Sequence, residues 1–493
     1  LEDTMANRRS PNSLFQLCIK ETSNHLADAR WNREDTNPFS QISCNLVNEL
    51  FRFLIKRNLE NPNPLELLLK SGQLQDFGLD GIEFTEEQWR AVMKILLEEG
   101  DCCRNITRIM LPKSFKNDEN ASLERLIEKC PLLEILEVST FFYLSALKNC
   151  ARLKVVRNDL KGRDEYRYFR NESVDTLANL QNLKKFAIFE CRNAASYYKH
   201  IAEVLQTHPN LVSLGLTDSS WAAHHINTAC RFQTVPRFGL KECFWGFNRT
   251  VNRFDRIRQV AYTLQYSEFV KSSVALFPLV EKLIIIVHHI NCLEHLKKLR
   301  HLRGLTINFN LCRGSPIRTA FISLLREIGP QLRHLTIMSR STMPVDVVMK
   351  YCPNLVRLDV CCAAIVQGGI ETDSRNFRQL KWLIVAGVDK ESLEYLLRHC
   401  LNLKELLLYD AHCLDDILLS QILKMKSLSK IDTLGVKDCR LSGEGLKELV
   451  QRCVNLESVA FENLNATLMT VLTELRRDIR ATHTAMASRL LAD

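Results

Sequence analysis

Hydrophobic positions along this 493-residue chain return in one recurring phrase. A leucine is followed by two variable positions, a second hydrophobic residue, a free position and a third hydrophobic, often with Cys or Pro just ahead. The clearest copies are CPLLEILEV (Cys130 to Val138), HPNLVSLGL (His208 to Leu216) and CPNLVRLDV (Cys352 to Val360). CLNLKELLL (Cys400 to Leu408) and CVNLESVAF (Cys453 to Phe461) follow the same pattern. Copies without the cysteine are LQNLKKFAI, LRHLRGLTI, GPQLRHLTI and FRQLKWLIV, and weaker ones start at Leu74, Ile106, Leu153, Val280 and Leu428. The closing alternation predicts a short strand with one buried face. Between copies the spacing turns helical, as Leu393, Leu396 and Leu397 show in KESLEYLLRHC.

In the second half the first leucines fall at 302, 332, 355, 380, 403, 428 and 456, in steps of 23 to 30 residues. That is the period of leucine-rich repeats. Neither a strand nor a helix of this kind buries its apolar face alone, so stacked copies share one core. The expected fold is an α/β leucine-rich-repeat solenoid, a horseshoe, over residues 61–465, with a helical module at 1–60 and a C-terminal capping helix at 466–493. Over 217–279 the period lapses into a stretch rich in aromatics and arginine. It holds either degenerate repeats, for instance a strand around Phe238 to Leu240, or an inserted loop.

The N-terminal module has its own pattern. Ser13 stands as a cap before a helix with Leu14, Leu17 and Cys18 on one face. A polar linker from Ser23 to Pro38 leads to a second amphipathic helix from Ile42, whose stripe is Leu46, Val47, Leu50, Phe53 and Leu54.

Composition narrows the function. Hydrophobic residues are 46% and charged residues 25%, a balance with ample core material, and no apolar run is long enough to span a bilayer. The net charge of +9 is spread among acidic residues rather than gathered in a basic stripe, so no nucleic-acid partner is expected. The first residues lack a signal-peptide h-region, and Met5 reads as a natural start. The 18 cysteines, without zinc-type pairs, then read as free thiols of a cytoplasmic or nuclear protein. Five N-x-S/T sequons, at Asn105, Asn120, Asn171, Asn248 and Asn465, point the other way and are read as accidental.

The last full repeat, LGVKDCRLSGEGLKELVQRCVNL (Leu434 to Leu456), resembles the cysteine-containing class of leucine-rich repeats. Cys439 sits at the turn after the strand and Cys453 closes the helix. Cys191 fills the first of these positions elsewhere, and Cys130, Cys150, Cys352 and Cys400 the second. The class is typical of substrate receptors of cullin–RING ubiquitin ligases. The N-terminal order Ser-Leu-x-x-x-Cys, linker, second helix is similar to their elongin-binding box and cullin box. That resemblance implies that Leu14 enters a pocket of elongin C with Cys18 beside it, and that Leu17, Leu46 and Leu50 belong to the same adaptor-binding surface. Thr22 stands where the box usually has an aliphatic residue, and Ser43 where the cullin box commonly has Pro. The segment from Ile42 could instead open an F-box, which would recruit a Skp-type linker. The competing readings are a plain cap over the first repeat and a ligase-independent scaffold. Implied partners are thus an adaptor, a cullin and an unidentified target protein, with no membrane.

Strand alternation also predicts the concave face. Trp382, Ile384 and Ala386 from one repeat and Glu405, Leu407 and Tyr409 from the next are expected side by side and exposed, a surface for the target. The segment His288 to His295 has the composition of a metal site but spans a strand end, a loop and a helix start, so no metal is expected. The chain carries no P-loop, no Rossmann fingerprint, no HExxH and no GxSxG. Gly443-Glu444-Gly445 is read as part of a repeat turn. Neither a cofactor nor a catalytic role is expected.

Overall fold

The computed structural model describes residues 14–27, 37–56, 63–79, 86–98, 102–111, 120–159 (without 141), 176–189 (without 178), 198–246 (without 217–218 and 231–235), 256–312, 317–365 (without 363), 377–424, 430–462 (without 454 and 457) and 480–481. The chain divides into two compact units, residues 1–222 with 248–250 and residues 223–247 with 251–493.

The first unit opens with helices α1 (Leu14–Ala27), α2 (Cys44–Lys56) and α3 (Asn63–Lys70), with a 3-10 turn at Pro38–Gln41. Parallel strands β1 (Asp76–Gly78), β2 (Arg108–Met110), β3 (Ile135–Val138), β4 (Val155–Asp159), β5 (Lys185–Phe189) and β6 (Ser213–Leu216) follow. Helices α4 (Glu86–Glu98), α5 (Asn120–Glu128) and α6 (Tyr198–Thr207) lie between strands. The register aligns Phe77, Ile109, Leu136, Val156, Phe186 and Leu214 across the sheet. All six are buried, so each repeat donates one residue to a continuous apolar row.

In the second unit the parallel ladder runs through β7 (Glu242–Trp245), β8 (Lys282–Ile286), β9 (Gly304–Asn308) and β10 (His334–Met338). After a two-residue strand β11 (Met343–Pro344) come β12 (Arg357–Cys361) and β13 (Ala364–Ile365), which pairs with β11. The ladder then continues through β14 (Trp382–Ala386), β15 (Glu405–Tyr409), β16 (Thr433–Lys437) and β17 (Ser458–Glu462). Its buried row is Cys243, Leu283, Leu305, Leu335, Leu358, Leu383, Leu406 and Leu434. The intervening helices include α7 (Ser219–Ala229), α8 (Arg256–Leu276), α9 (Cys292–Leu296), α10 (Ile317–Ile328), α11 (Val345–Tyr351), α12 (Lys390–His399), α13 (Asp416–Leu423) and α14 (Gly443–Arg452). This is a leucine-rich-repeat solenoid, as the repeated phrase predicts.

Details of the motif acquire physical roles. The Asn before the first leucine hydrogen-bonds backward: Asn354 Nδ2 donates to the Pro330 carbonyl and Asn402 Nδ2 to that of Arg378, each at 2.7 Å. Asn105, Asn182 and Gln331 do the same to Gly72, Ala151 and Leu299 at 2.7–2.9 Å. These carbonyls belong to the preceding repeat, so the amides tie neighbouring copies along one rim. Directly after three successive strands the backbone turns left-handed at Gly387 (φ 71°), Asp410 (49°) and Asp438 (57°), a region that Gly, Asn and Asp tolerate best. The following helices are capped by Asp389, Asp415 and Ser442, whose side chains accept from the backbone N–H groups of Ser392, Leu418 and Gly445. Gly445 lies in the first turn of α14, not in a loop, and a Cβ there would collide with the carboxylate of Asp416.

The helix-end cysteines Cys130, Cys150, Cys352, Cys400 and Cys453 are all buried. Burial pushes the Cys150 and Cys400 thiols up to about 12 and that of Cys453 to about 11. They act as small apolar side chains closing each helix. Cys191 lies outside the described residues.

Three expectations shift. The repeat assigned to Leu428 is anchored on Ile431, buried two residues before β16 as Leu403 is before β15; Leu428 itself lies outside the described residues. Within 217–279 a repeat is present, with Leu240 buried ahead of β7, so the strand starts at Glu242 rather than near Phe238. At the C-terminus, Arg480 and Ala481 pair with Ser458 and Val459 as strand β18 (Arg480–Ala481), so no helix runs through them. The rest of 466–493 lies outside the described residues.

Candidate functional site

The N-terminal helices divide two tasks between them. Strand β1 is the outer edge of its sheet, with backbone donors that need partners. Asn48 of α2 supplies one: its Oδ1 accepts from the backbone N–H groups of Gln75 and Asp76 at 3.0 and 3.1 Å. Arg52, one turn on, pairs with the Asp76 carboxylate at 2.5 Å, which holds its guanidinium above the usual value. Val47, Leu50, Phe51 and Leu54 are buried, and the Phe51 ring lies 5.8 Å from that of Phe77 in β1. Helix α2 is therefore the cap of the first repeat.

Helix α1 packs by one edge only. Ile19, Ser23 and Leu26, at i, i+4 and i+7, are buried, with Ser23 Oγ donating to the Ile19 carbonyl. Leu17 is 48% exposed and Cys18 is exposed. The helix runs to Ala27, so Ser23 belongs to its packed edge and not to a linker. Of the five residues expected on the adaptor surface, Leu17 and Cys18 face solvent and Leu46 is half-buried. Leu50 is a correction: it is core, because the apolar stripe of α2 is spent covering β1. The side chain of Leu14 lies outside the described residues.

In the second unit, Trp382, Ile384 and Ala386 lie in register with Glu405, Leu407 and Tyr409 on the sheet face turned away from the helices. Their adjacency is as expected, but their exposure is not. Ile384, Leu407 and Tyr409 are buried and form a small cluster of their own, with Ala386 and Ala460 packed against it. Leu407 is in register with Gly435, and Gly435 with Ala460. The missing side chain at Gly435 lets the cluster reach Ala460 two strands away. Trp382 stays 36% exposed and Glu405 is half-buried.

The histidines of the 288–295 segment diverge. His288 is buried edge-on to Tyr266, 4.8 Å between rings, while His289 Nδ1 accepts from the Asn291 N–H. His295 Nε2 meets Ser267 Oγ at 3.1 Å, and burial lowers its pKa. Among the described residues no group of three His, Cys, Asp or Glu side chains is placed to hold a metal, and no helix is long and apolar enough to cross a membrane.

No protein-family model matches the chain, and no curated protein matches its sequence. Solved structures of similar fold include the Rad7–Elc1 complex of yeast, at 13% identity over 97% of this chain and 99% of that one, with a TM-score of 0.39. A leucine-rich-repeat protein of Leptospira interrogans is 11% identical over 86% of this chain and 93% of its own, with a TM-score of 0.28. The leucine-rich repeat-containing protein LegL7 of Legionella pneumophila is 11% identical over 65% and 96%, with a TM-score of 0.35.

Proposed function

We propose that this chain is the substrate-recognition subunit of a cullin–RING ubiquitin ligase, docking through α1 and holding a target protein on the helix-free face of its sheet. It would bring a lysine of that target near a charged ubiquitin-conjugating enzyme and perform no chemistry of its own, in the reducing cytoplasm or nucleus. The observation that carries the reading is the exposed pair Leu17 and Cys18 on a helix that capping does not require. Because α2 already covers β1, the outer edge of α1 is left for another protein.

The test is retention of purified elongin B–C, a Skp-type linker or a cullin by the tagged full-length chain. Elongin retention that is lost on substituting Leu14→Glu together with Leu17→Glu supports the reading. Retention of the Skp-type linker instead, unaffected by those changes, would move the chain to the F-box class. Retention of none of the three overturns the ligase role.

A further inference from the structure

Next to Trp382, on the same sheet face, the first residues of β8, β10 and β12 are basic, with Gly304 of β9 lying among them. The register sets Lys282 of β8 beside Gly304 of β9, Gly304 beside His334 of β10, His334 beside Arg357 of β12, and Arg357 beside Trp382 of β14. One position earlier, Arg303 and Arg333 are adjacent and exposed, their strands joined by the hydrogen bond from the Arg333 N–H to the Arg303 carbonyl.

Gly304 stands between two of these groups and adds no side chain to the row. A Cβ at that position would touch Lys282 Cγ at 3.4 Å and His334 Cβ at 3.9 Å. Without one, the space between the side chains of Lys282 and His334 is left open on this face. The pKa of the His334 imidazole is lowered by burial and then by Arg357, Lys282 and Arg333, with Asp359 alone opposing.

The nearby acids are already committed. Asp359 is buried, with both carboxylate oxygens 3.1 Å from Arg357 Nε and one accepting from Thr336. Glu242 pairs with Lys282 and Glu281 with Lys241, both at 3.0 Å. Arg303 also helps hold the Glu281 carboxyl below its ordinary value, while Arg333 is exposed beside it. The positive excess of the row therefore rests on Arg303 and Arg333, and the row ends on a half-exposed Trp.

We infer that this row, Lys282, Arg303, Arg333, His334 and Arg357 leading to Trp382, is a docking surface for an acidic segment of a partner protein, with an apolar side chain of that segment resting on Trp382. The inference rests on the reading that this face holds a target, and is independent of what α1 recruits. A nucleic acid suits the surface less well. The row offers one exposed aromatic ring where strand binding uses several, and Glu405 follows Trp382 on the next strand to repel a continuing phosphate backbone.

The experiment is fluorescence anisotropy on the full-length chain with a labelled Glu-rich peptide carrying one Leu. A Lys-rich counterpart and a single-stranded oligodeoxynucleotide serve as rival probes. The acidic peptide binds, the basic one does not, and affinity falls as salt rises. Arg303→Glu with Arg333→Glu weakens binding by about tenfold or more, while Lys424→Glu on the helical side leaves it unchanged. The milder Arg333→Gln, with melting followed in parallel, keeps the test valid should the double reversal unfold the chain. Equal binding by the reversed variant, or tighter binding of the oligonucleotide, overturns the assignment. Elongin retention, measured on the same variants, stays intact in either case, so failure here and failure of the ligase reading are distinguishable.

Discussion

The side-chain amide of Asn402 donates to the carbonyl of Arg378, one repeat earlier, and its own oxygen accepts from Lys430 one repeat later. A single side chain thus bridges three successive copies. Asn354 repeats the arrangement, donating to Pro330 and accepting from Gln379. Asn354→Ala and Asn402→Ala should each cost about 1 kcal/mol, because the repeat-to-repeat bond is lost and the carbonyl is left to water. The two losses should add in urea unfolding curves, since no partner is shared. A double variant indistinguishable from the native chain would show that the amide rim is incidental.

Leu17 and Leu50 separate docking from capping. Leu50→Ala leaves a hole between α2 and β1 and should lower stability by about 2–5 kcal/mol. Leu17→Ala removes a half-exposed side chain and should stay within about 0.5 kcal/mol of the native value. Calorimetry on the pair checks this. If Leu17→Ala melts as early as Leu50→Ala, the outer edge of α1 is packed and not available.

Tyr409 and Trp382 should behave unlike one another despite lying on neighbouring strands. Tyr409→Ala empties a buried cluster and should cost about 3 kcal/mol or more, while Trp382→Ala should change the melting temperature little. Acidic-peptide affinity should respond in the opposite order, falling for Trp382→Ala first.

Acid should weaken the second unit through His334. Its folded pKa lies below the ordinary 6.5, so the unfolded chain takes up the proton first. The neutral form supports the fold above that value, and this support is lost as pH falls through 6.5 toward the folded pKa. Of the described histidines, His295 acts in the same direction. His334→Gln should flatten the fall in stability between neutral pH and pH about 5, measured by denaturant midpoints at stepped pH. An unchanged slope would mean that neither burial nor the basic neighbours lower the pKa of this ring.

Thiol reagents give an independent reading of the core. Under native conditions Cys18 should be modified first, being the cysteine among the described residues that is exposed. Cys352 and Cys400 should react only on unfolding, because burial withholds both access and thiolate. Mass spectrometry of alkylated peptides over time would show early Cys400 labelling if the helix ends were open.

The strand phrase made most of the fold readable, because Leu-x-x-Leu-x-Leu specifies local geometry and register at once. Ile431 was missed since an Ile at the anchor and a nearby Leu428 give the same composition in two phases. Leu240 was obscured by its unusually long neighbour α8, which stretches the period. The exposed pair on α1 was visible as a helical face, whereas the burial of Leu50 depends on β1 being an edge, a property of topology. Alternation placed Ile384, Leu407 and Tyr409 on the correct face but could not report the gap at Gly435 that lets them cluster. The basic row escaped notice for a related reason. Its members lie in separate repeats, and only the register sets them beside one another.

That one-to-one register also sets a measure. Neighbouring strands are about 4.8 Å apart, whereas an extended chain advances about 3.4 Å per residue and an α-helix about 4.5 Å per three residues. A helical partner lying across the strands advances nearly one strand spacing every three residues, slipping about 0.3 Å and turning about 60° at each step, so it faces two or three neighbouring strands before its side chains rotate away. An extended partner falls out of phase by the second strand. Equal parallel spacing thus makes the face a vernier, favouring ligands by their periodicity as well as their charge.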